Sequence, residues 1–287
     1  MRIDEAAQAA ELAATCERHF LGEAFVDEAD VVGEWSRPGM DFAAGTRGVY
    51  DDGLLVAGVE VDHRELIYLD VRPSHFGRGI GTALADWAEA TAVGLGVKQV
   101  NQFIAAPDLA GAEILRARGY LPTYTDWILR MDEGVPLQRH ELPDDVTISA
   151  FTLDDAIAVH EVIEDAFGSW EGRIPRSYED WAHQNLERAG TDPSTFRVAR
   201  AGGDVVGVCV VHDGDGKAWV HQVAVRSDRR GQGIGQELLA ETFQAARGRG
   251  LPVGELSTDT RTGAVGLYER LGMHIVAQLE NWRKELS

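Results

Sequence analysis

The hydrophobic positions of the chain follow a helical period and a strand period, and both recur in the two halves. Apolar residues three and four positions apart predict helices, and short runs rich in Val, Ile and Leu predict strands. In the first half the helices fall at 5–20, 80–95 and 112–118, and the strands at 49, 54–61, 65–71, 100–106 and 124–131. In the second half the helices fall at 152–167, 178–187, 234–245 and around Tyr268, and the strands at 146–151, 196–200, 205–211, 218–225, 256–259 and 275–285. This order predicts a mixed α/β fold that occurs twice.

A glycine-rich turn near residue 230 joins a predicted strand to a predicted helix. Strand-forming residues run up to Val225, and Gly231, Gly233 and Gly235 follow. Glycine allows the backbone to approach a ligand without side chains in the way. Because the helix begins within the glycines, its free amide donors and its positive dipole end point into the turn. The turn is therefore predicted to bind an anion, and a phosphate is the natural ligand.

Two nucleotide-binding motifs do not fit this turn. A Walker loop needs Gly-Lys-Ser/Thr at its end, whereas Gly235 is followed by Gln236 and Glu237. A Rossmann turn needs a further glycine, whereas the chain continues to Leu238.

The turn is repeated in the first half of the chain. Gly79 and Gly81 lie 154 residues before Gly233 and Gly235. Such a repeat predicts a tandem duplication of one fold. The predicted domains are residues 1–132 and 146–287, and the polar segment between them, which carries two prolines, is the predicted linker. We refer to these two predicted domains as the first copy and the second copy.

The motif Arg230–Gly235 resembles the pyrophosphate loop of the GNAT superfamily of acyl-CoA-dependent N-acyltransferases. The segment Leu267–Met273 is similar to the C-terminal helix of that superfamily and its glycine ending. The tandem arrangement resembles the mycothiol synthases and their relatives. The resemblance implies an α/β fold of two tandem GNAT-type domains, each a mixed, mostly antiparallel sheet flanked by helices. It also implies acetyl-CoA as co-substrate, without a metal.

The resemblance also implies where acetyl-CoA binds. The implied binding residues are Val223, Ala224, Val225, Arg230, Gly231, Gln232, Gly233, Ile234, Gly235 and Gln236. The loop would hold the pyrophosphate, and backbone amides of 223–225 would meet the oxyanion that develops on the thioester. The Asn that usually precedes the catalytic Tyr in this superfamily is absent, since Thr260 and Arg261 occupy the candidate positions.

Tyr268 and His221 are the candidate catalytic residues. Tyr268 stands where the superfamily has its general acid, and a phenol with a pKa of about 10 suits a departing thiolate. His221 lies nine residues before Arg230, a spacing that resembles that of serotonin N-acetyltransferases. Strand alternation predicts that His221, Val223 and Val225 share one face. An imidazole, whose pKa is about 6.5 before the site perturbs it, can accept the amine proton. The alternatives are a packed core Tyr and a substrate-positioning His.

The first copy differs at the corresponding positions. Phe76 replaces Arg230, and Leu115 replaces Tyr268. We therefore expect the first copy to keep the fold without turnover, and the chemistry to take place in the second copy.

The composition excludes some classes of binding partner. The 27 basic and 47 acidic residues give a formal net charge of −20, which opposes general binding to nucleic acid or to an anionic membrane. Cys16 and Cys209 are too few for a disulfide framework and have no neighbours at metal-ligand spacing. The sequence lacks a signal-peptide pattern and a run of roughly 20 apolar residues, so a cytoplasmic protein is expected.

The most consistent function is acetyl transfer from acetyl-CoA to the amine of a small molecule. A non-catalytic acyl-CoA-binding or scaffold protein, and a protein N-acetyltransferase, remain alternatives. In this fold the loop over 170–178 and the last strands set the choice of acceptor.

Overall fold

The computed structural model describes residues 1–37, 40–62, 64–168 and 175–286. They form two compact units, one of Met1–Asp126 with Ala277–Ser287 and the other of Trp127–Val276. We call them unit 1 and unit 2. These units divide the chain differently from the predicted domains, because residues 127–132 belong to unit 2 and residues 277–287 belong to unit 1.

Unit 1 is a mixed sheet with helices. Its helices are α1 (Ala6–Leu21), α2 (Glu28–Trp35), α3 (Phe42–Gly45), α4 (Ile80–Gly94) and α5 (Leu109–Ala117). Its strands are β1 (Thr46–Asp51), β2 (Leu54–Val61), β3 (Leu66–Val71), β4 (Gln99–Ala105) and the first part of β5 (Leu121–Met131). The strand order is β1-β2-β3-β4, and the chain's last strand, β11 (His274–Glu285), pairs antiparallel with β4. Only β3 and β4 pair in parallel among these neighbours.

Unit 2 repeats this plan. Its helices are α6 (Ala156–Phe167), α7 (Tyr178–Asn185), α8 (Ile234–Gly248) and α9 (Val265–Arg270). Its strands are β6 (Val146–Ala150), β7 (Arg197–Ala201), β8 (Asp204–Gly214), β9 (Lys217–Val225) and β10 (Val253–Asp259). The order is β10-β9-β8-β7-β6, with antiparallel pairs except for β9 and β10. The predicted fold class, with mixed sheets flanked by helices, is confirmed.

The terminal strand is held in unit 1 by packing and by hydrogen bonds. Trp282 of β11 is 2% exposed and lies in the same core cluster as Val100 and Tyr120. The Thr123 hydroxyl of β5 donates to the Asn281 side chain over 2.6 Å. Burying an indole contributes a few kcal/mol, so β11 belongs to the core of unit 1.

The predicted helices and strands are present with small changes in their bounds, but α2 and the four-residue α3 were not predicted. Asp27 caps α2 by accepting from the amide of Asp30, whose side chain in turn accepts from the amide of Asp27. This reciprocal cap stabilises a short helix that a weak apolar pattern does not predict. None of the helices in the described ranges combines the length and apolar character that a bilayer-spanning helix requires.

Candidate active site

The glycine-rich turn has the conformation that an anion-binding loop requires. Strand β9 ends at Val225, a 3₁₀ turn covers Ser227–Arg229, and α8 begins at Ile234. Gly231 and Gly233 have φ values of +73° and +76°, which side chains other than glycine rarely adopt. Successive amides in such a turn, together with the N-terminus of a 15-residue helix, form a concave set of donors.

Hydrogen bonds between the turn and α6 hold the turn in place. Arg230 donates to the carbonyl oxygen of Ala166 in the last turn of α6 over 2.6 Å. Asp165 accepts from the backbone amide of Ser227 over 2.6 Å. The Arg230 guanidinium is thereby committed to the end of α6, so the donors of the turn are mainly backbone amides. The anchoring role of Asp165 was not predicted from the sequence.

A residue of the predicted linker lies against the turn. A Cβ atom placed on Gly233 would be 1.6 Å from Cδ2 and 2.2 Å from Nε2 of His140. The backbone amide of His140 donates to Glu237 of α8 over 2.7 Å, and Arg139 forms ion pairs with Glu237 and Glu241. These contacts fix the linker on the first turns of α8 and place an exposed imidazole beside the predicted pyrophosphate site.

Strands β9 and β10 separate next to the turn. Their parallel ladder runs from Lys217 opposite Val253 to Val220 opposite Leu256. In the described residues the ladder ends there, although β9 continues to Val225. Beyond Val220, the edge of β9 that faces β10 is therefore free of sheet bonds. Among the predicted oxyanion donors, the amides of 223–225, those of Val223 and Val225 point to this open edge, whereas Ala224 lies opposite Val208 and directs its amide to β8.

A β-bulge occurs at His221. Val211 of β8 lies opposite Val220 and Val210 lies opposite Gln222, so His221 is the extra residue. Such a bulge changes the direction of a side chain. The imidazole of His221 contacts that of His212 on β8, with ring centroids 5.4 Å apart.

The predicted alternation of β9 is wrong at this bulge. Gln222 accepts a hydrogen bond from the indole of Trp181 on α7 over 3.0 Å, and His212 lies beside Thr191, which follows α7. His221 and Gln222 therefore both reach toward the side of α7. Val225, in contrast, contacts the start of α8, since a Cβ on Gly235 would lie 3.5 Å from its Cγ2 atom. His221 and Val225 do not share a face.

The environment of His221 keeps its imidazole neutral. Its side chain is exposed to solvent, and nearby protein groups still desolvate the imidazole. Desolvation by these surroundings, together with the positive charges of Arg176 and Arg188, lowers the pKa of His221 to about 4. A neutral imidazole at pH 7 has a lone pair available for a proton.

Tyr268 lies on α9 and is 8% exposed. Its ring packs in the core cluster of unit 2, which includes Cys209 and Leu271. Burial raises the pKa of Tyr268 to about 12, so the phenol stays protonated. Within the part of the chain that the structure describes, its hydroxyl makes no hydrogen bond. The residue therefore combines a packed ring with a proton that remains available for donation.

The glycine-rich turn of the first copy has the same backbone but different surroundings. Gly77 and Gly79 have φ values of +73° and +78°, and a Cβ on Gly79 would meet no atom within 4 Å. Phe76 stacks on Phe20 in the last turn of α1, with centroids 6.0 Å apart. An aromatic contact thus replaces the bond from Arg230 to α6. Leu115, at the position of Tyr268, is buried.

Three carboxylates of unit 1 form a compact cluster. Glu34, Glu60 and Asp62 each bring one oxygen within 4.8 Å of the others. Arg37 and Arg64 each pair with both Glu34 and Asp62. Burial and the nearby Glu34 raise the pKa of Glu60 to about 7. Two guanidinium groups balance two carboxylates, and the third is easily neutralised, so the cluster is an ion-pair network and we propose no metal there.

Sequence reasoning found His221, Tyr268 and the turn, but missed His212 and His140. His212 is separated from His221 by a strand turn, and only strand pairing brings the two rings together. The predicted acceptor loop over 170–178 lies partly outside the described residues, which resume at Pro175.

Comparisons with known proteins agree with this geometry. The family model described as "Acetyltransferase (GNAT) family" matches residues 8–120 and 157–273. A mycothiol acetyltransferase of Clavibacter sepedonicus is 31% identical over 235 residues, covering 79% of this chain and 73% of that protein. A mycothiol acetyltransferase of Streptomyces avermitilis is 30% identical over 223 residues, covering 75% of this chain and 68% of that protein.

Two solved structures have the same fold. A GCN5-related N-acetyltransferase from Sphaerobacter thermophilus aligns with a TM-score of 0.81 and 30% identity, covering 100% of this chain and 94% of that one. A tandem GNAT protein from the clavulanic acid biosynthesis pathway aligns with a TM-score of 0.72 and 17% identity, covering 99% and 95%. Fold and sequence thus define a tandem acetyltransferase. The chain belongs to the GNAT acetyltransferase family.

Proposed function

We propose that this acetyltransferase moves the acetyl group of acetyl-CoA to the amine of a small molecule, and that the second copy performs the chemistry. The observation that carries the proposal is the combination in unit 2 of an anchored glycine-rich turn, an open edge of β9 and the side chains of His221 and Tyr268. The names of the mycothiol acetyltransferases support a small-molecule acceptor.

The fit to acetyl-CoA depends on the space around the turn. A Cβ on Gly231 would meet no atom within 4 Å, so this side of the turn is open to a phosphate. On the other side the His140 ring stands beside Gly233, and as an exposed side chain it can turn aside or lie next to the pyrophosphate. The backbone amides of the turn and of α8 would hold the pyrophosphate.

Each remaining group has one task in the transfer. His221 takes the proton of the amine, directly or through water, because its imidazole is neutral. The amides of Val223 and Val225 at the open edge of β9 stabilise the oxyanion, and a donor of this kind contributes about 10²–10³-fold in rate. Tyr268 donates its proton to the departing thiolate.

The first copy lacks two of these groups. Leu115 takes the place of Tyr268, and Ile67 lies 154 residues before His221. Both Leu115 and Ile67 are buried apolar side chains that cannot transfer a proton. The first copy is therefore expected to retain the fold and its glycine-rich turn without turnover.

A screen of small-molecule amines with acetyl-CoA tests the proposal, with release of the free thiol followed over time. The screen should include amino sugars and amino acids, and a peptide with a free N-terminus serves as the protein-like acceptor. Amine-dependent thiol release with a small molecule is expected. Binding of acetyl-CoA without thiol release from any acceptor would favour the non-catalytic alternative, and release with the peptide alone would favour protein acetylation.

A further inference from the structure

One ring nitrogen of His212 is buried without a partner. His212 lies on β8 and is 7% exposed. Its Nδ1 atom lies 3.1 Å from the hydroxyl of Thr191, whereas its Nε2 atom has no hydrogen-bond partner among the described residues. Leaving a buried polar atom unpaired costs about 1–3 kcal/mol. Most buried polar atoms in native proteins have a hydrogen-bond partner, so the unpaired Nε2 of His212 requires an explanation.

The neighbour of this nitrogen is the candidate base. The rings of His212 and His221 have centroids 5.4 Å apart and an interplanar angle of 69°. A ring nitrogen lies roughly 1.1 Å from its ring centre, so rings at this spacing can bring two nitrogens to about 3 Å, a hydrogen-bond distance. His221 is exposed and can turn its ring, whereas Thr191 and the ring of Phe196 hold His212.

We propose that His212 is a positioning residue, whose Nε2 forms a hydrogen bond with His221 and fixes the orientation in which His221 accepts the amine proton. The inference rests on the proposed acetyl transfer. His212 cannot touch the acceptor, because its free nitrogen is inaccessible to solvent. Its effect must therefore pass through His221.

The proton balance of the step does not involve a charge on His212. The amine nitrogen attacks the thioester carbonyl, its proton moves to His221, the C–S bond breaks, and Tyr268 protonates the thiolate. His212 donates Nδ1–H to Thr191 and offers the Nε2 lone pair to the N–H of His221. Burial first, and then the charges at His221 and Arg188, lower the pKa of His212 to about 2, so it stays neutral. The charged groups that face His221 are Arg176 before α7 and Arg188 after it.

Two substitutions of His212 distinguish the roles of its two ring nitrogens. The amide of His212→Asn reaches the position of Nδ1 and can keep the contact with Thr191, but it leaves the position of Nε2 empty. The amide of His212→Gln is one methylene longer and reaches the position of Nε2. We expect His212→Asn to lower kcat about 10- to 100-fold with little change in KM, as for one lost hydrogen bond to a charged group. We expect His212→Gln to recover most of this loss.

A direct measurement does not depend on turnover. The ¹⁵N shifts of the His221 ring, followed from pH 3 to 8, report its tautomer and titration in the full chain. His212→Asn should change the tautomer ratio and lower the titration midpoint of His221, and His212→Gln should restore both. Thr191→Val, which frees the His212 ring and keeps both imidazoles, should also change the His221 shifts and serves if His212→Asn does not fold.

Unchanged His221 shifts in His212→Asn and in Thr191→Val would overturn the proposal, as would equal losses of kcat in His212→Asn and His212→Gln. Failure of the proposed function has a different signature. In that case the wild-type protein releases no thiol with any amine, while the ¹⁵N shifts still report whether His212 orients His221.

Discussion

The imidazole of His140 lies against Gly233, so close that a methyl group on this glycine would be 1.6 Å from Cδ2 of the ring. His140 belongs to the segment between the two copies, and Gly233 is the last residue before α8. Two constraints therefore favour glycine at position 233: the positive φ of the backbone and the nearby His140 ring. The corresponding Gly79 of the first copy has only the first constraint.

Replacing Gly233 by alanine should destabilise the protein more than replacing Gly231. Both glycines have positive φ, which costs an L-residue about 1–2 kcal/mol. At position 233 the His140 ring must also move away. The new Cβ atom would lie 2.4 Å from Cγ of His140, so rotation of the ring about its Cβ–Cγ bond does not remove the clash. We expect an extra loss of about 0.5–1.5 kcal/mol, as for a strained rotamer.

Urea unfolding of the two variants measures this difference, and the same pair in a His140→Gly background is the control. The difference between Gly233→Ala and Gly231→Ala should nearly vanish there. A difference that persists without the His140 ring would refute the steric explanation.

The pH dependence of kcat/KM should reflect a low pKa of His221. Because the neutral imidazole is the proposed base, kcat/KM should rise with pH through the pKa of His221, which lies at about 4 and not at the 6.5 expected from the sequence. The ratio of kcat/KM of the wild-type protein to kcat/KM of His221→Ala is independent of the ionisation of the amine, since that ionisation affects both proteins equally. We expect this ratio to be about 10²–10⁴ near neutral pH and to fall toward 1 below pH 4. A ratio that is independent of pH would mean that another group, or bulk water, takes the proton.

Tyr268→Phe should lower kcat without moving the acidic limb. The phenyl ring keeps the packing of the core, but the proton for the thiolate is gone. We expect a loss of about 10²–10⁴-fold in kcat. Since burial raises the pKa of Tyr268 to about 12, the wild-type enzyme should show no loss of activity from this group up to pH 10. Unchanged kcat at saturating substrates would assign Tyr268 to the core alone.

A buried ion pair in unit 2 should contribute stability that depends on pH. Burial alone would raise the pKa of Asp155, but bonds from Arg200 and Thr152 lower it below its usual value. The stabilisation from Asp155 is complete above the pKa of an aspartate in the unfolded chain, about 3.9. It is lost as pH falls through the lower pKa that Asp155 has in the folded protein. Arg200→Met should cost about 1–3 kcal/mol at pH 7.

Unfolding in urea at pH 7 and at pH 3.5 tests this, with Arg226→Met as the control. Arg226 pairs with the exposed Asp228 and should contribute almost nothing. A loss in Arg200→Met that is the same at both pH values would exclude the ionised Asp155 as its source.

Local patterns predicted most of the fold because the buried face of each helix or strand appears in the sequence as an apolar period of about 3.6 or 2 residues. The repeated turn was visible at 79 and 233, since glycine is the residue that tolerates the φ values found there. Helix α2 was missed because its acidic residues and Gly33 obscure the apolar period.

Features that depend on long-range pairing could not be predicted. The period of residues 274–285 predicts a strand, but not that Trp282 packs in the core of unit 1. Alternation along β9 predicted the wrong face for His221 because a bulge adds one residue, and a bulge is set by the register against β8. For the same reason the contact between His212 and His221 was invisible in the sequence.

A pair of glycine variants, one in each copy, tests whether acetyl transfer takes place in the second copy. Gly79→Glu and Gly233→Glu place the same side chain in turns of nearly equal φ, +78° and +76°, so backbone strain is balanced. Both are made in a His140→Gly background, which removes the ring that only Gly233→Glu would meet. Thermal melting first establishes that both variants fold. Thiol release from acetyl-CoA is then measured with an amine that the wild-type protein accepts. We expect Gly79→Glu to retain most of the activity and Gly233→Glu to lose it, whereas loss in Gly79→Glu with activity kept in Gly233→Glu would place the chemistry in the first copy.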